Sequence, residues 1–301
     1  MNIKSIDEAI EAYRPILDEK DLQRLLFFRG LWEIQDRLNK AAEKGSEYSL
    51  PDLQAAEEWY WQETPLLRRA PVTIDKDDFA TALEEISCYL AQGAGFKPEI
   101  SECLKTFCWR DLVEESDMAL AGTDPMAYVQ SFCAKAEEQS SSVLLPQTSY
   151  ILFGYAIRPF LELAASALLE SLNEKIKAGN LIHNKPLHCP VCGCDATAAL
   201  VGDALSGPSG VRQLYCGLCG TVWEFERIRC AHCGTRNQTK LHYFHIEGDD
   251  AHRLYSCKEC GDYIRTVFKE SLGLVFSFEV EDVVMTRLDT IANDPRFEIN
   301  A

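Results

Sequence analysis

Through the first 180 residues, apolar positions recur every three to four places, the period of a helix with one buried face. In "DLQRLLFFRGLWEIQDRLNKAAEK" (21–44), Leu22, Leu25, Leu26, Leu31, Ile34 and Leu38 form one stripe with charges opposite. "PDLQAAEEWYWQE" (51–63) opens on Pro51, which a first helical turn tolerates. "DKDDFATALEEISCYLAQ" (75–92) opens on an acidic cluster suited to a helix N-terminus and stops before Gly93. The same reading predicts helices over 98–113, 125–138 and 146–177. Near "KAGNLIHNKPLHC", Gly179, Asn180, Asn184 and Pro186 break the helical pattern. Beyond it the period changes to short β segments: "TAALVG", "VRQLYC", "TVWEFERI", "KLHYFHIE", "HRLYSC" and "YIRTVFKE", the first of them the weakest. "VEDVVMTRLDTIAND" (280–294) reads as a closing helix.

The expected fold class is therefore α+β. An all-helical domain (1–180) precedes two tandem four-cysteine β modules of rubredoxin-like or zinc-ribbon type (181–228 and 229–279), and a C-terminal helix (280–301) closes the chain.

Composition sharpens this division. All six histidines and nine of the thirteen cysteines follow residue 180. The net charge is −17, with 18 Lys and Arg against 31 Asp and Glu up to residue 180, and 12 against 16 after it. Neither part offers the basic surface that phosphate neutralisation needs, which argues against nucleic acid and anionic membrane as partners. The most apolar stretch (149–172) carries Arg158, Pro159 and Glu162, and reads as a buried helix rather than a membrane insertion. The N-terminus lacks the apolar core of a signal peptide, so the expected location is cytoplasmic. Thirteen cysteines in that compartment favour metal-binding thiols over disulfides.

Four Cys-x-x-Cys-Gly units begin at Cys189, Cys216, Cys230 and Cys257. A shift of 41 residues superimposes the first pair on the second, and aligns Leu200 with Leu241, Gly207 with Gly248 and Arg212 with Arg253, as an internal duplication does. Two cysteines three apart place both sulfurs on one ion. The following glycine (Gly193, Gly220, Gly234, Gly261) takes positive φ and turns backbone N–H groups towards the thiolates. The simplest pairing is local: Cys189, Cys192, Cys216 and Cys219 on one ion, and Cys230, Cys233, Cys257 and Cys260 on another. A cross-braced pairing of alternate units remains open. Tetrathiolate ligation suits zinc or iron alike; zinc would be structural, and iron would be redox-active.

Other candidates carry less. Cys194 reads as a bystander, with a spare ligand or redox partner as its alternative. Cys88, Cys103, Cys108 and Cys133 read as buried small hydrophobes. His232, His242 and His245 read as surface or hydrogen-bonding groups rather than ligands. Trp59, Tyr60 and Trp61 read as core before interface. No hydrolase, nucleotide-binding or metalloprotease motif is present, so no enzyme is expected.

"HCPVCG", "LYCGLCGTVWEFERIRCAHCG" and "LYSCKECGDYIRTVF" resemble the cysteine-rich half of the formate dehydrogenase accessory protein family, FdhE. "YAIRPFLELAASAL" and "VEDVVMTRLDTIANDPRF" are similar to it less specifically. The resemblance implies a cytoplasmic assembly factor acting on the catalytic subunit of formate dehydrogenase. It also implies two iron ions in rubredoxin-like sites on the eight paired cysteines, with zinc as the alternative metal. Two other classes compete: an iron-dependent electron-transfer protein, and a zinc-ribbon nucleic-acid-binding protein.

Overall fold

A computed structural model describes residues 1–43, 53–140, 144–178, 185–202 and 212–293. Pro51, Gly179, Asn180, Asn184 and Gly207 lie outside them. The helical part comprises α1 (Ile3–Tyr13), α2 (Glu19–Ala42), α3 (Leu53–Trp61), α4 (Lys76–Gly93), α5 (Pro98–Thr106), α6 (Trp109–Glu114), α7 (Met118–Thr123), α8 (Pro125–Gln139) and α9 (Pro146–Ala178). Aspartates start several of them. Asp75 accepts from the N–H groups of Asp77 and Asp78 at 2.9 and 3.1 Å, satisfying donors that α4 leaves free. The single helix expected over 98–113 is two, because the chain turns extended at Phe107 and re-enters at Trp109.

By length and hydropathy Pro146–Leu169 could cross a membrane, but 67% of that window is buried inside the protein. Pro159 has no N–H to give the carbonyl of Tyr155, four residues earlier. Gln35 of α2, 1% exposed, supplies the missing donor, Nε2 to Tyr155 O at 2.9 Å, and Asn39 donates to Pro159 O at 2.6 Å. The proline thus creates the polar seam along which α2 docks on α9.

All six expected β segments are strands: β1 (Ala198–Val201), β2 (Arg212–Tyr215), β3 (Val222–Phe225), β4 (Leu241–His245), β5 (His252–Cys257) and β6 (Tyr263–Phe268). They form one sheet in the order β3-β2-β1-β6-β5-β4, antiparallel except for the central parallel pair β1–β6. The two modules therefore share a sheet rather than standing as separate beads. The duplication persists in the register. Arg212 faces Phe225 and His252 faces Val267, so the β2–β3 and β5–β6 pairings superimpose under the 41-residue shift. The first hairpin does not repeat: Leu200 faces Gln213, whereas Leu241 faces Cys257 rather than Leu254.

Alternation along the strands divides two cores. Ala199, Leu214, Trp223 and Ile264 join the helical core of Leu31, Tyr60, Phe79, Trp109, Phe132 and Phe153. Leu200, Tyr215, Leu254 and Val267 face the opposite side, against Ile6, Ile10, Tyr13 and Trp32 and against the C-terminal segments. Those segments are α10 (Lys269–Leu272), α11 (Phe278–Val284) and α12 (Thr286–Ala292), so the helix expected over 280–294 is broken at Met285. Tyr60 is buried, with Trp59 and Trp61 packed partly exposed on the same core.

Candidate metal centres

Each Cys-x-x-Cys-Gly unit folds into the same knuckle. The glycine N–H donates to the carbonyl of the first cysteine (Gly193 to Cys189, Gly220 to Cys216, Gly234 to Cys230, Gly261 to Cys257) at 2.8 to 3.2 Å. The first cysteine's own N–H donates five residues on, to the carbonyls of Cys194, Thr221, Thr235 and Asp262. Closing so tight a loop needs positive φ at the glycine, and the four values are 80°, 73°, 74° and 81°. Backbone N–H groups turn towards sulfur as the pattern requires, with His232 N–H 3.4 Å from Cys230 Sγ. Against the upward push of burial, the N–H groups of Cys260 and Glu259 hold the Cys257 thiol below its ordinary value.

The knuckles meet in the local pairs. The Sγ atoms of Cys189, Cys192, Cys216 and Cys219 all lie within 4.8 Å of one another, and so do those of Cys230, Cys233, Cys257 and Cys260. Cross-strand separations are 3.5 Å for Cys189–Cys219 and Cys192–Cys216, and 3.8 Å for Cys230–Cys260 and Cys233–Cys257. Four sulfurs bound tetrahedrally at about 2.3 Å stand about 3.8 Å apart, so either set could hold one ion. Such an ion would be closed by four thiolates, leaving no position for water. Burial pushes the Cys189 thiol well above its ordinary range.

The two clusters differ in setting. All four sulfur-bearing residues of the first are buried; in the second, Cys233 and Cys260 are exposed. The first is built into the helical part, where Leu66 and Leu67 N–H groups donate to Pro190 and Val191 at 2.8 and 3.0 Å. Arg158, 4% exposed, reaches it from α9, donating to Gly217 O at 3.3 Å and to Glu279 at 2.8 Å, while Tyr215 also donates to Glu279. Beside Gly261 of the second cluster, a Cβ would meet nothing within 4 Å.

The remaining candidates fall outside the two sets. Cys194 is buried beside the first cluster and closes the first knuckle through its carbonyl. Cys133 is buried and Cys103 half-buried, but Cys88 and Cys108 are exposed: one points outward from α4, the other caps α6. His232 Nε2 lies 3.0 Å from Tyr263 O, a hydrogen-bonding role, and His245 is largely exposed. Sequence reasoning missed His252. Only 3% exposed, it lies between Asp249 and Glu281, with Nδ1 and Nε2 at 2.9 and 2.8 Å from their carboxylates, and Tyr13 donates to Glu281 at 2.9 Å. Arg287 pairs with Asp249 at the rim. No spacing rule finds such a cluster, because its members come from opposite ends of the chain.

Residues 188–227, which contain the whole first cluster, match the family model of the FdhE central domain. Protein FdhE of Salmonella choleraesuis (strain SC-B67) is 34% identical over 84 residues, 28% of this chain and 26% of that protein. The Protein FdhE homolog of Shewanella sp. (strain MR-4) is 34% identical over 112 residues, 36% and 35% of the two chains. The aligned region thus spans about a quarter to a third of these relatives' length. The crystal structure of the FdhE protein from Pseudomonas aeruginosa shares the fold over 96% of this chain and 89% of its own, with a TM-score of 0.54 and 18% identity. The sequence likeness to FdhE proteins thus lies in the central region around the first cluster, while the fold of an FdhE protein is shared over nearly the whole chain.

Proposed function

We propose that the chain is a maturation factor for formate dehydrogenase: a cytoplasmic, non-catalytic protein that binds the enzyme's catalytic subunit and carries two metal ions. The observation that carries this reading is the pair of tetracysteine clusters on a fold shared with an FdhE protein. Cys189, Cys192, Cys216 and Cys219 hold one ion, and Cys230, Cys233, Cys257 and Cys260 the other. Iron is the preferred metal because the family resemblance implies it. Bound iron would supply one-electron redox chemistry, whereas zinc would supply structure alone. The working division is a helical unit (1–180), two metal modules (181–228 and 229–279) and a closing segment (280–301).

The test is complementation. A bacterium lacking its own FdhE regains formate dehydrogenase activity when it expresses this chain, and the catalytic subunit co-purifies with it. A folded chain that restores no activity and captures no subunit overturns the proposal. Metal analysis of protein purified without oxygen then gives about two irons, with a thiolate-to-iron charge-transfer band on oxidation. The exposure of Cys233 and Cys260 favours one secondary reading, electron exchange at the second cluster. A reversible potential with turnover by an electron donor would promote it.

A further inference from the structure

Among the described residues, nine buried side-chain polar atoms lack a hydrogen-bond partner, and five of the nine belong to residues around one cavity. They are Arg212 Nε and Nη2, Arg229 Nε, His242 Nε2 and Ser256 Oγ. The cavity, about 270 Å³, lies against the second cluster, whose Cys230 and Cys257 form part of its wall. A buried polar group left unpaired is destabilising, so a concentration of them in one place marks a missing partner.

Arg212 is the centre of the case. It is 3% exposed, and it makes no ion pair among the described residues. Its guanidinium carbon stands 5.9 and 5.5 Å from the ring centres of Phe225 and Tyr255, and Nη1 donates to Arg229 O at 3.1 Å. Burial pulls its pKa down to about 10, which still leaves a full positive charge at neutral pH. The two unpaired nitrogens, Nε and Nη2, form one edge of the guanidinium, and their N–H bonds run parallel. That edge matches the two oxygens of a carboxylate. Arg227 and Arg229 also line the cavity, Arg229 paired with Glu226 at 3.2 Å, and among the described residues Asp262 is the one carboxylate in that lining. Leu241, Tyr255 and Ile264 supply apolar walls, while the exposed Ile228 and Tyr243 mark the way in.

We propose that this cavity binds a carboxylate carried on a short apolar stem, held side-on by Arg212. The donors are shielded from bulk solvent, so binding includes a small turn of the guanidinium between its two rings. The site goes beyond the maturation role and does not depend on it. A competing role for Arg212 is to offset the thiolate charge of the second cluster. That role makes metal retention depend on the guanidinium and leaves anion affinity indifferent to it.

The experiment is calorimetric titration of the full, zinc-loaded chain with acetate, butyrate and butyramide. Butyrate binds more tightly than acetate, and butyramide does not bind. Arg212→Gln weakens butyrate by about tenfold or more while both ions are retained, and Arg212→Lys, which keeps the charge but not the edge, also weakens it. A short peptide with a free C-terminal carboxylate is compared with its amide. Binding of the acid form alone assigns the carboxylate to a polypeptide; binding of butyrate but of neither peptide assigns it to a free metabolite. The proposal is overturned if butyrate gives no signal by about 10 mM, an affinity too weak to matter. It is also overturned if butyramide binds equally, or if Arg212→Gln loses metal but binds butyrate unchanged. Should Arg212→Gln not fold, Ser256→Ala decides: a several-fold loss supports the site, and unchanged affinity overturns it.

Discussion

Gln35 shows how one residue answers a defect made by another. It donates to the carbonyl that Pro159 leaves without an N–H. Gln35→Leu is expected to lower stability by about 1–3 kcal/mol, the cost of an orphaned buried carbonyl. In a Pro159→Ala background the helix supplies its own donor, and the same substitution costs clearly less. Urea unfolding of the four proteins measures the coupling, and equal costs in both backgrounds refute it. His252 makes a second residue-scale prediction. Burial alone favours neutral imidazole, but hydrogen bonds to Asp249 and Glu281 outweigh it and raise the pKa from 6.5 to about 9. A raised pKa means that protonation favours the folded state. This contribution, on the order of 2–3 kcal/mol, is complete below about pH 6.5 and disappears as pH rises through about 9. The stability difference between wild type and His252→Gln is therefore expected to shrink across that window, and melting curves from pH 6 to 10 follow it. A constant difference rules the mechanism out. Neither pairing was legible in the sequence: Gln35 and Tyr155 lie 120 positions apart, and His252 and Glu281 lie 29 apart on different elements.

Among the elements, the knuckle was the most legible, because its chemistry is local. Cys-x-x-Cys-Gly states the φ the loop requires, and all four copies adopt it. Helix and strand periods also located the elements, but not the breaks at Phe107 and Met285, where no Pro or Gly interrupts the pattern. The knuckles are nonetheless not equivalent. At Gly261 an added methyl meets open space, so Gly261→Ala is expected to cost only the backbone strain, about 1–2 kcal/mol. At Gly193 the methyl would also stand 2.9 Å from Pro65 Cγ, and the cost is expected to be larger. Denaturant melts of the metal-loaded variants rank them, and the reverse order would show that the strain lies elsewhere. A chelator is expected to remove the ions in two phases. The fast one comes from the second cluster, with Cys233 and Cys260 exposed, and Cys233→Ser abolishes it. A single phase would mean that burial does not control release.

For the whole molecule, the sequence indicated two kinds of unit but not their fusion. The apolar faces of short strands do not say which neighbour they meet. Here the first cluster sits in the helical core, and the two modules share one sheet. A chain ending at residue 180 is accordingly expected to keep helical circular dichroism but to bind hydrophobic dyes and aggregate. A compact, cooperatively melting fragment would contradict this.

The central parallel pairing of β1 with β6 has a further consequence, in time rather than space. β1 emerges from the ribosome well before the strand that must lie beside it, with four other strands made in between. Tyr13 waits longer still for Glu281, 268 positions away. Until the last module is complete, the nascent protein holds an open sheet edge and an uncovered amphipathic first helix. Its synthesis therefore passes through a stage at which folding cannot finish, and in which it depends on whatever shields such surfaces in the cell.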